Sequence, residues 1–187
     1  TPDPAVTAVI DKWTPLFAAA GNTPVGTITA DINRGVAGED NRGVESNLGN
    51  LIADAQLWAT SSNGAQIAFM NPGGVRANLV YKESAGEGDG VVTFGEAFAV
   101  QPFGNTLITY PMTGAQIISV LQQQCQPAGA SRAFLHLGVS AGFTYDLSKT
   151  VVAGTCTSVS VTNVKLHGVP LDPAATYNVT VNNFLAD

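Results

Sequence analysis

The last third of the sequence alternates polar and apolar residues with a period of two, and this pattern constrains the fold more than any other. Such alternation is typical of strands with one buried face. A turn-rich stretch, "HGVPLDPAAT", connects two of the alternating runs. The final third therefore predicts antiparallel strands in four runs, "FLHLGV", "GFTYDL", "VSVTNVKL" and "YNVTVNNF".

Helical and extended patterns are mixed in the rest of the chain. Capping residues and apolar spacing predict helices over 3–20, 45–60 and 113–126 and a short helix at "FGEAFAV". Strands are predicted over 25–32, at "QIAFM", at "VVTF" and over 105–112. The sequence thus predicts an α+β (mixed α/β) fold, with a mixed sheet flanked by helices.

Composition excludes several classes of protein. With 187 residues, 45% of them hydrophobic and 12% charged, the chain can bury one substantial core. The net charge of −6 argues against binding to a nucleic acid polymer or an anionic membrane. Since no apolar run approaches the ~20 residues of a membrane helix, no membrane span is predicted.

Cys125 and Cys156 are the only cysteines. They lack C-x-x-C spacing and a neighbouring histidine, which argues against a metal site or a redox pair. We expect a disulfide that closes a loop of about 30 residues and stabilises the fold by roughly 3–4 kcal/mol; two separate buried thiols are the alternative. A disulfide in a chain with few charges favours a secreted or cell-surface location.

The two ends of the sequence suggest a piece of a longer protein. The chain begins at Thr1 without a methionine or a hydrophobic signal segment, and it stops at "NNFLAD" directly after an alternating run. We therefore expect a mature or excised fragment, truncated at its C-terminus. The predicted helix over 3–20 would then connect this domain to something upstream.

The stretch "NPGGVR" is the first candidate for a ligand contact. Gly73 and Gly74 lack a Cβ atom, so the backbone there can adopt positive φ and approach a ligand closely. Consecutive amides in such a turn can bind an anion, and Arg76 could add a forked donor for phosphate or carboxylate oxygens. A tight turn with a surface arginine is the alternative.

Two aromatic residues and a second arginine are further candidates. Phe103 stands between Pro102 and Gly104, and Phe184 follows a predicted strand, so each ring could stack on a planar ligand. Arg42 precedes the N-terminus of a predicted helix, which attracts anions. The alternatives are rings that cover the edge of the core and an arginine that pairs with a nearby carboxylate.

Catalytic machinery is not evident in the sequence. His136, expected within a strand, and His167 have no partner at metal-ligand spacing, and no nucleophile elbow, phosphate-binding loop or H-E-x-x-H motif occurs. Glu45, Asp54 and Glu96 are better explained as capping or solvated helix residues. The residues themselves therefore indicate a binding surface without a catalyst.

Six stretches in order resemble the C-terminal domain of the 5′-nucleotidase family over nearly all of 25–187. They are "ESNLGNLIADA", "NPGGVR", "FGEAFAVQPFGNTL", "MTGAQIISVLQ", "GFTYDLS" and "GVPLDPAATYNVTVNNFLA". The resemblance implies that Phe103 and Phe184 stack on the nucleobase. It also implies contacts to the substrate from Asn71 and Arg76 on either side of Gly73 and Gly74, and from Arg42.

The resemblance further implies a division of the protein. Residues 1–22 would form a linker helix from an N-terminal metallophosphatase domain, and 23–187 would be a substrate-binding domain. The metal-binding signatures of that family, D-x-H and G-N-H-D/E, are absent here, so no cofactor is expected in this chain and divalent metal ions are expected in the missing domain. This chain alone would then be inactive, and it would position a nucleotide for dephosphorylation.

Two departures from the family pattern affect the expected pocket. Pro72 stands where the family has glycine, so one backbone N–H donor is lost. The family's G-G-D segment, whose aspartate binds ribose, lies beyond the end of the sequence. Two other functions therefore remain open, namely a stand-alone nucleoside- or nucleotide-binding module and a structural or adhesive surface domain.

Overall fold

The computed structural model describes residues 3–84 and 86–186. Thr1 and Pro2 of the predicted linker and Asp187 of the predicted binding domain lie outside the described residues. The chain forms two compact units: a smaller unit of Thr1–Ile32 and Arg76–Pro102, and a larger unit of Asn33–Val75 and Phe103–Asp187.

Helices and strands are mixed along the chain, as the sequence predicts. The α-helices are α1 (Pro4–Gly21), α2 (Asn47–Ala59), α3 (Phe94–Val100), α4 (Gly114–Gln122) and α5 (Asn183–Ala186). The strands are β1 (Pro24–Thr27), β2 (Ile67–Met70), β3 (Val91–Thr93), β4 (Leu107–Thr113), β5 (Gly138–Val139), β6 (Phe143–Val152), β7 (Thr155–Leu166), β8 (Val169–Pro170) and β9 (Thr176–Asn182).

The smaller unit combines α1 with the antiparallel pair β1–β3 and with α3. Asp3 begins α1, since its side chain accepts a hydrogen bond from the backbone N–H of Ala5 at 2.8 Å. Thr93 and Glu96 form a reciprocal capping box at the start of α3. The local sequence signals therefore determine where both helices begin.

The larger unit is built on a four-stranded sheet in the order β4-β9-β2-β5. In this sheet β9 is antiparallel to β4 but parallel to β2. The antiparallel pairing expected in the final third is therefore correct for β9 with β4. The parallel pairing of β9 with β2 was not expected. β6, β7 and β8 form a separate antiparallel sheet of three strands.

The two faces of the four-stranded sheet are covered differently. One face contributes Phe69, Val179 and Val181 to the main hydrophobic core, together with Ile117 and Leu121 of α4. On the other face, α2 packs against the sheet, and a group of threonine hydroxyls is buried in the middle of the sheet. There the buried Thr180 hydroxyl lies 2.8 Å from the hydroxyl of Thr60 and 2.7 Å from that of Thr109.

Cys125 and Cys156 form the expected disulfide, with their Cα atoms 5.6 Å apart. The bond joins the segment after α4 to β7, so it fastens the β6–β7 hairpin to the rest of the larger unit. The structure thus rules out the alternative of two separate thiols.

Two strand predictions in the sequence are too long. The strand predicted at "FLHLGV" is reduced to β5, and His136 lies outside the named strands because its backbone N–H donates to the Arg42 carbonyl instead, at 2.8 Å. The strand predicted over 25–32 ends at Thr27. In both places hydrogen bonds to loops replace a regular ladder.

Candidate functional site

The expected ligand contacts of the larger unit converge on one edge of the four-stranded sheet. Because β2 and β9 are parallel, both strands end at the same edge. β4 begins there, since Leu107 pairs with Asn182 in the antiparallel ladder. Three connecting segments therefore meet at this edge, namely 71–74, 103–106 and 183–186.

Asn71 and the following turn continue directly from β2. Residues Pro72–Gly74 form one turn of 3-10 helix, and the Asn71 side chain is buried, with its Oδ1 accepting a hydrogen bond from Asn182 Nδ2 at 2.8 Å. Neither Gly73 nor Gly74 adopts positive φ, contrary to the sequence-based expectation. Gly74 is closely packed, because a Cβ atom there would lie 2.3 Å from Cε of the buried Met70 side chain.

Arg42 lies beside this turn. A Cβ atom on Gly73 would come within 3.3 Å of Arg42 Nη1, and Arg42 Nε is 3.2 Å from Asp40 Oδ1. Partial burial would raise the pKa of the Asp40 carboxyl. The hydrogen bond from Arg42 and the charges of nearby arginines outweigh that effect and lower this pKa below its usual 3.8. Asp40 therefore stays ionised and holds Arg42 against the glycine turn.

Phe103 and Phe184 flank the same edge and remain exposed. Their side chains are 48% and 70% exposed, and within the described part of the chain neither ring is paired with another aromatic ring. Their segments are joined by two hydrogen bonds between Thr106 and Asn183. Both rings are thus available to a ligand.

Arg76 belongs to the smaller unit, whereas the other expected contacts belong to the larger one. Its backbone N–H donates to the carbonyl of Val100 at 2.9 Å, and the residue is exposed. Its contact with a substrate stays a prediction.

A cavity of about 320 Å³ opens beneath the edge, next to Asn71, Pro72 and Leu185. No stretch of the sequence indicates this cavity, because its walls come from segments far apart in the chain. Apolar side chains dominate its lining, and burial raises the pKa of Tyr110 on one wall. Gln124 is buried there; its Nε2 donates to the Leu121 carbonyl at 2.7 Å and its Oε1 accepts from the Leu137 N–H at 2.8 Å.

The acidic residues considered as possible catalysts have structural partners. Glu45 accepts a hydrogen bond from Asn50 Nδ2 at 2.9 Å, Asp54 accepts one from the Ala141 N–H, and Glu96 completes the capping box of α3. Over residues 3–84 and 86–186, His, Cys, Asp and Glu side chains nowhere gather in a group of three or more that could hold a metal ion.

The chain is similar to known proteins over nearly all of its length. The family model described as "5′-nucleotidase, C-terminal domain" matches residues 24–187. The chain therefore belongs to the 5′-nucleotidase family, as a C-terminal domain. The match confirms both the resemblance seen in the sequence and the mixed α/β fold class.

Individual proteins support the same assignment. "Cell wall protein Lmo0130" of Listeria monocytogenes is 33% identical over 190 residues, which cover 99% of this chain and 23% of that protein. The crystal structure of a 5′-nucleotidase precursor from Thermus thermophilus matches 97% of this chain and 33% of its own, with 34% identity and a TM-score of 0.67. The NAD nucleotidase of Haemophilus influenzae matches 98% of this chain and 32% of its own, with 26% identity and a TM-score of 0.60.

The chain thus spans about a quarter to a third of these relatives. In the part of the chain that the structure describes, no helix is both long and apolar enough to cross a membrane.

Proposed function

We propose that the larger unit binds the base and ribose of a nucleotide at the edge where β2 and β9 end. The convergence of 71–74, 103–106 and 183–186 at that edge is the observation that carries the proposal. Phe103 and Phe184 would stack on the base, and each stacked ring contributes roughly 1–3 kcal/mol in known sites. Their exposure and their lack of aromatic partners within the described residues support this role.

Polar groups at the edge would orient the rest of the nucleotide. Asp40 fixes Arg42 through Nε, so the two terminal nitrogens of the guanidinium would be offered to the ligand next to Gly73. Asn71 would contribute Nδ2, because its Oδ1 is already engaged by Asn182. Gly74 would keep the backbone close to the ligand, and a contact between Arg76 of the smaller unit and the substrate stays a prediction.

In the whole protein this domain would serve a 5′-nucleotidase-like phosphoester hydrolase. Residues 1–22, which include α1, would link it to a metallophosphatase domain, and 23–187 would bind substrate. Divalent metal ions in that other domain would supply the activated water that cuts the phosphoester bond. The disulfide and the similarity to a cell wall protein favour a secreted or cell-surface location.

Calorimetric titration with adenosine and with AMP tests the binding site. We expect Phe103→Ala and Phe184→Ala to weaken adenosine binding by about 5- to 100-fold each, which corresponds to the loss of one stacking contact. Trp58→Ala is the matched control, because Trp58 is 81% exposed on α2 of the same unit and should leave binding unchanged. Equal affinities in all four proteins would refute the nucleotide site and favour a structural surface role.

A phosphate-release assay tests the division of labour. The 187-residue chain should release no phosphate from AMP when divalent metal ions are supplied, whereas the protein with its metallophosphatase domain should do so. Hydrolysis by the chain alone would contradict the proposed role. Hydrolysis by neither protein would favour a stand-alone binding module.

A further inference from the structure

Positive charge is concentrated in one region of the larger unit, around residues 40–43. The chain has eight Lys and Arg residues against fourteen Asp and Glu residues. Arg34, Arg42 and Arg132 all act electrostatically on the Asp40 carboxyl, and Lys149 Nζ donates to the Gly43 carbonyl. Half of the basic residues of an acidic protein therefore surround a single loop.

Lys149 contacts a ring and a backbone carbonyl rather than a carboxylate. Its ammonium lies 4.0 Å from the centroid of the buried Phe134 ring, and it forms no ion pair with any described acidic residue. Its removal from water lowers the pKa of this ammonium. An ammonium has three N–H donors. The Gly43 carbonyl and the Phe134 ring engage only part of this hydrogen-bonding capacity.

Arg132 lies beside the same loop and contacts Asp40. Its two terminal nitrogens lie at long hydrogen-bond distances from Asp40, 3.4 Å to Oδ2 and 3.5 Å to the backbone carbonyl, and the side chain is 40% exposed. The guanidinium has five N–H donors, so it can bind a second acceptor besides Asp40.

The cavity between these cations has a volume of about 320 Å³. Its walls come from the 41–44 loop, from 132–134 and from β6, and no acidic side chain is part of its lining. A partly buried ammonium and a guanidinium thus line one open space whose lining includes no carboxylate, while Asp40 pairs with Arg132 outside that lining. Such a pair suits a doubly charged oxyanion, because lysine supplies a compact charge and arginine a fork of donors.

We propose that the cavity between Lys149 and Arg132 is a subsite for a tetrahedral oxyanion of the phosphate class. This site is separate from the one proposed for the base, because Phe103 and Phe184 take no part in its lining. It would accept inorganic phosphate or a phosphate group of a small molecule.

Inorganic phosphate is the probe for this subsite. We would titrate it into the ¹⁵N-labelled chain at constant ionic strength and follow the amide signals of Gly43, Phe134 and Lys149. We expect saturable shifts, weakened at least tenfold in Lys149→Met and in Arg132→Gln. Lys149→Met keeps an unbranched apolar stem over Phe134, and Arg132→Gln supplies an independent test if that variant does not fold.

Lys165→Met is the matched control, since this cation lies on β7 outside the cavity and should leave the phosphate shifts unchanged. Adenosine, which carries no phosphate, should still bind Lys149→Met, and phosphate should still bind Phe103→Ala. Failure of the base site and failure of this subsite are therefore distinguishable. Shifts that match those from sodium chloride or acetate, or shifts that persist in both cavity variants, would overturn the proposal.

Discussion

Thr106 and Asn183 exchange two hydrogen bonds across the edge of the central sheet. The Thr106 N–H donates to Asn183 Oδ1 at 3.0 Å, and the Asn183 N–H donates to the Thr106 carbonyl at 2.9 Å. Phe103 lies three residues before the first partner and Phe184 one residue after the second. The pair therefore couples the two segments that carry the exposed rings.

Asn183→Ala should weaken adenosine binding by about fivefold, since it removes one hydrogen bond worth about 1 kcal/mol and loosens the segment of Phe103. Calorimetry at one temperature measures the change. Asn178→Ala is the control, because Asn178 Nδ2 makes a comparable bond to the Gly64 carbonyl, at 3.1 Å, at the opposite end of β9. Equal losses in both variants would mean that the effect is a general loss of stability.

Structure that depends on neighbours in the chain could be predicted from the sequence. Thr113 and Gln116 form a capping box within four residues, so the start of α4 could be predicted locally. The parallel pairing of β2 and β9 could not, because Ile67 pairs with Val179 across more than a hundred residues and the alternation of β9 fits either direction.

In the candidate sites, too, local features could be predicted from the sequence and long-range contacts could not. Phe103 and Phe184 could be selected from their turn-forming or strand-end contexts. The bond from Asn182 to Asn71 and the placement of Arg132 and Lys149 on one cavity arise only from long-range packing. No spacing in the sequence signals these contacts.

The disulfide should contribute a large part of the stability of the larger unit. Cys125 and Cys156 are separated by 31 positions, for which loop closure predicts about 3–4 kcal/mol. Replacing both cysteines by serine should lower the thermal midpoint by roughly 10 °C. A reducing agent should bring the wild-type midpoint down to that of the variant and leave the variant itself unchanged. A midpoint insensitive to both treatments would contradict this prediction.

His136 should make the folded state sensitive to mild acid. Burial lowers the pKa of this imidazole below 6.5, and the charge of Lys149 lowers it further. The hydrogen bond with Leu137 and the charge of Glu45 raise this pKa, but burial outweighs them. The unfolded chain then binds the proton more readily than the folded one. Stability is therefore complete above the unfolded pKa and declines as the pH falls below about 6.5.

Urea unfolding at pH 7.5 and at pH 5.5 measures this contribution. The loss of stability between the two values should be smaller in His136→Gln than in the wild type. His167→Gln is the control, since it removes the other imidazole from an exposed turn. An unchanged pH dependence in His136→Gln would show that other groups cause the acid sensitivity.

Gly138 and Gly49 should respond very differently to the same substitution, although they lie against each other where β5 meets α2. A Cβ atom on Gly138 would lie 2.4 Å from the backbone carbonyl carbon of Gly49, which cannot move without displacing the helix. A Cβ atom on Gly49 would find its nearest neighbours at 3.4–3.5 Å, which is ordinary contact. Gly138→Ala should therefore cost about 1–3 kcal/mol or more through overpacking, whereas Gly49→Ala should be nearly neutral because alanine favours the helix. Chemical denaturation of the two variants gives both values, and a cost for Gly138→Ala as small as that of Gly49→Ala would contradict the close contact between β5 and α2.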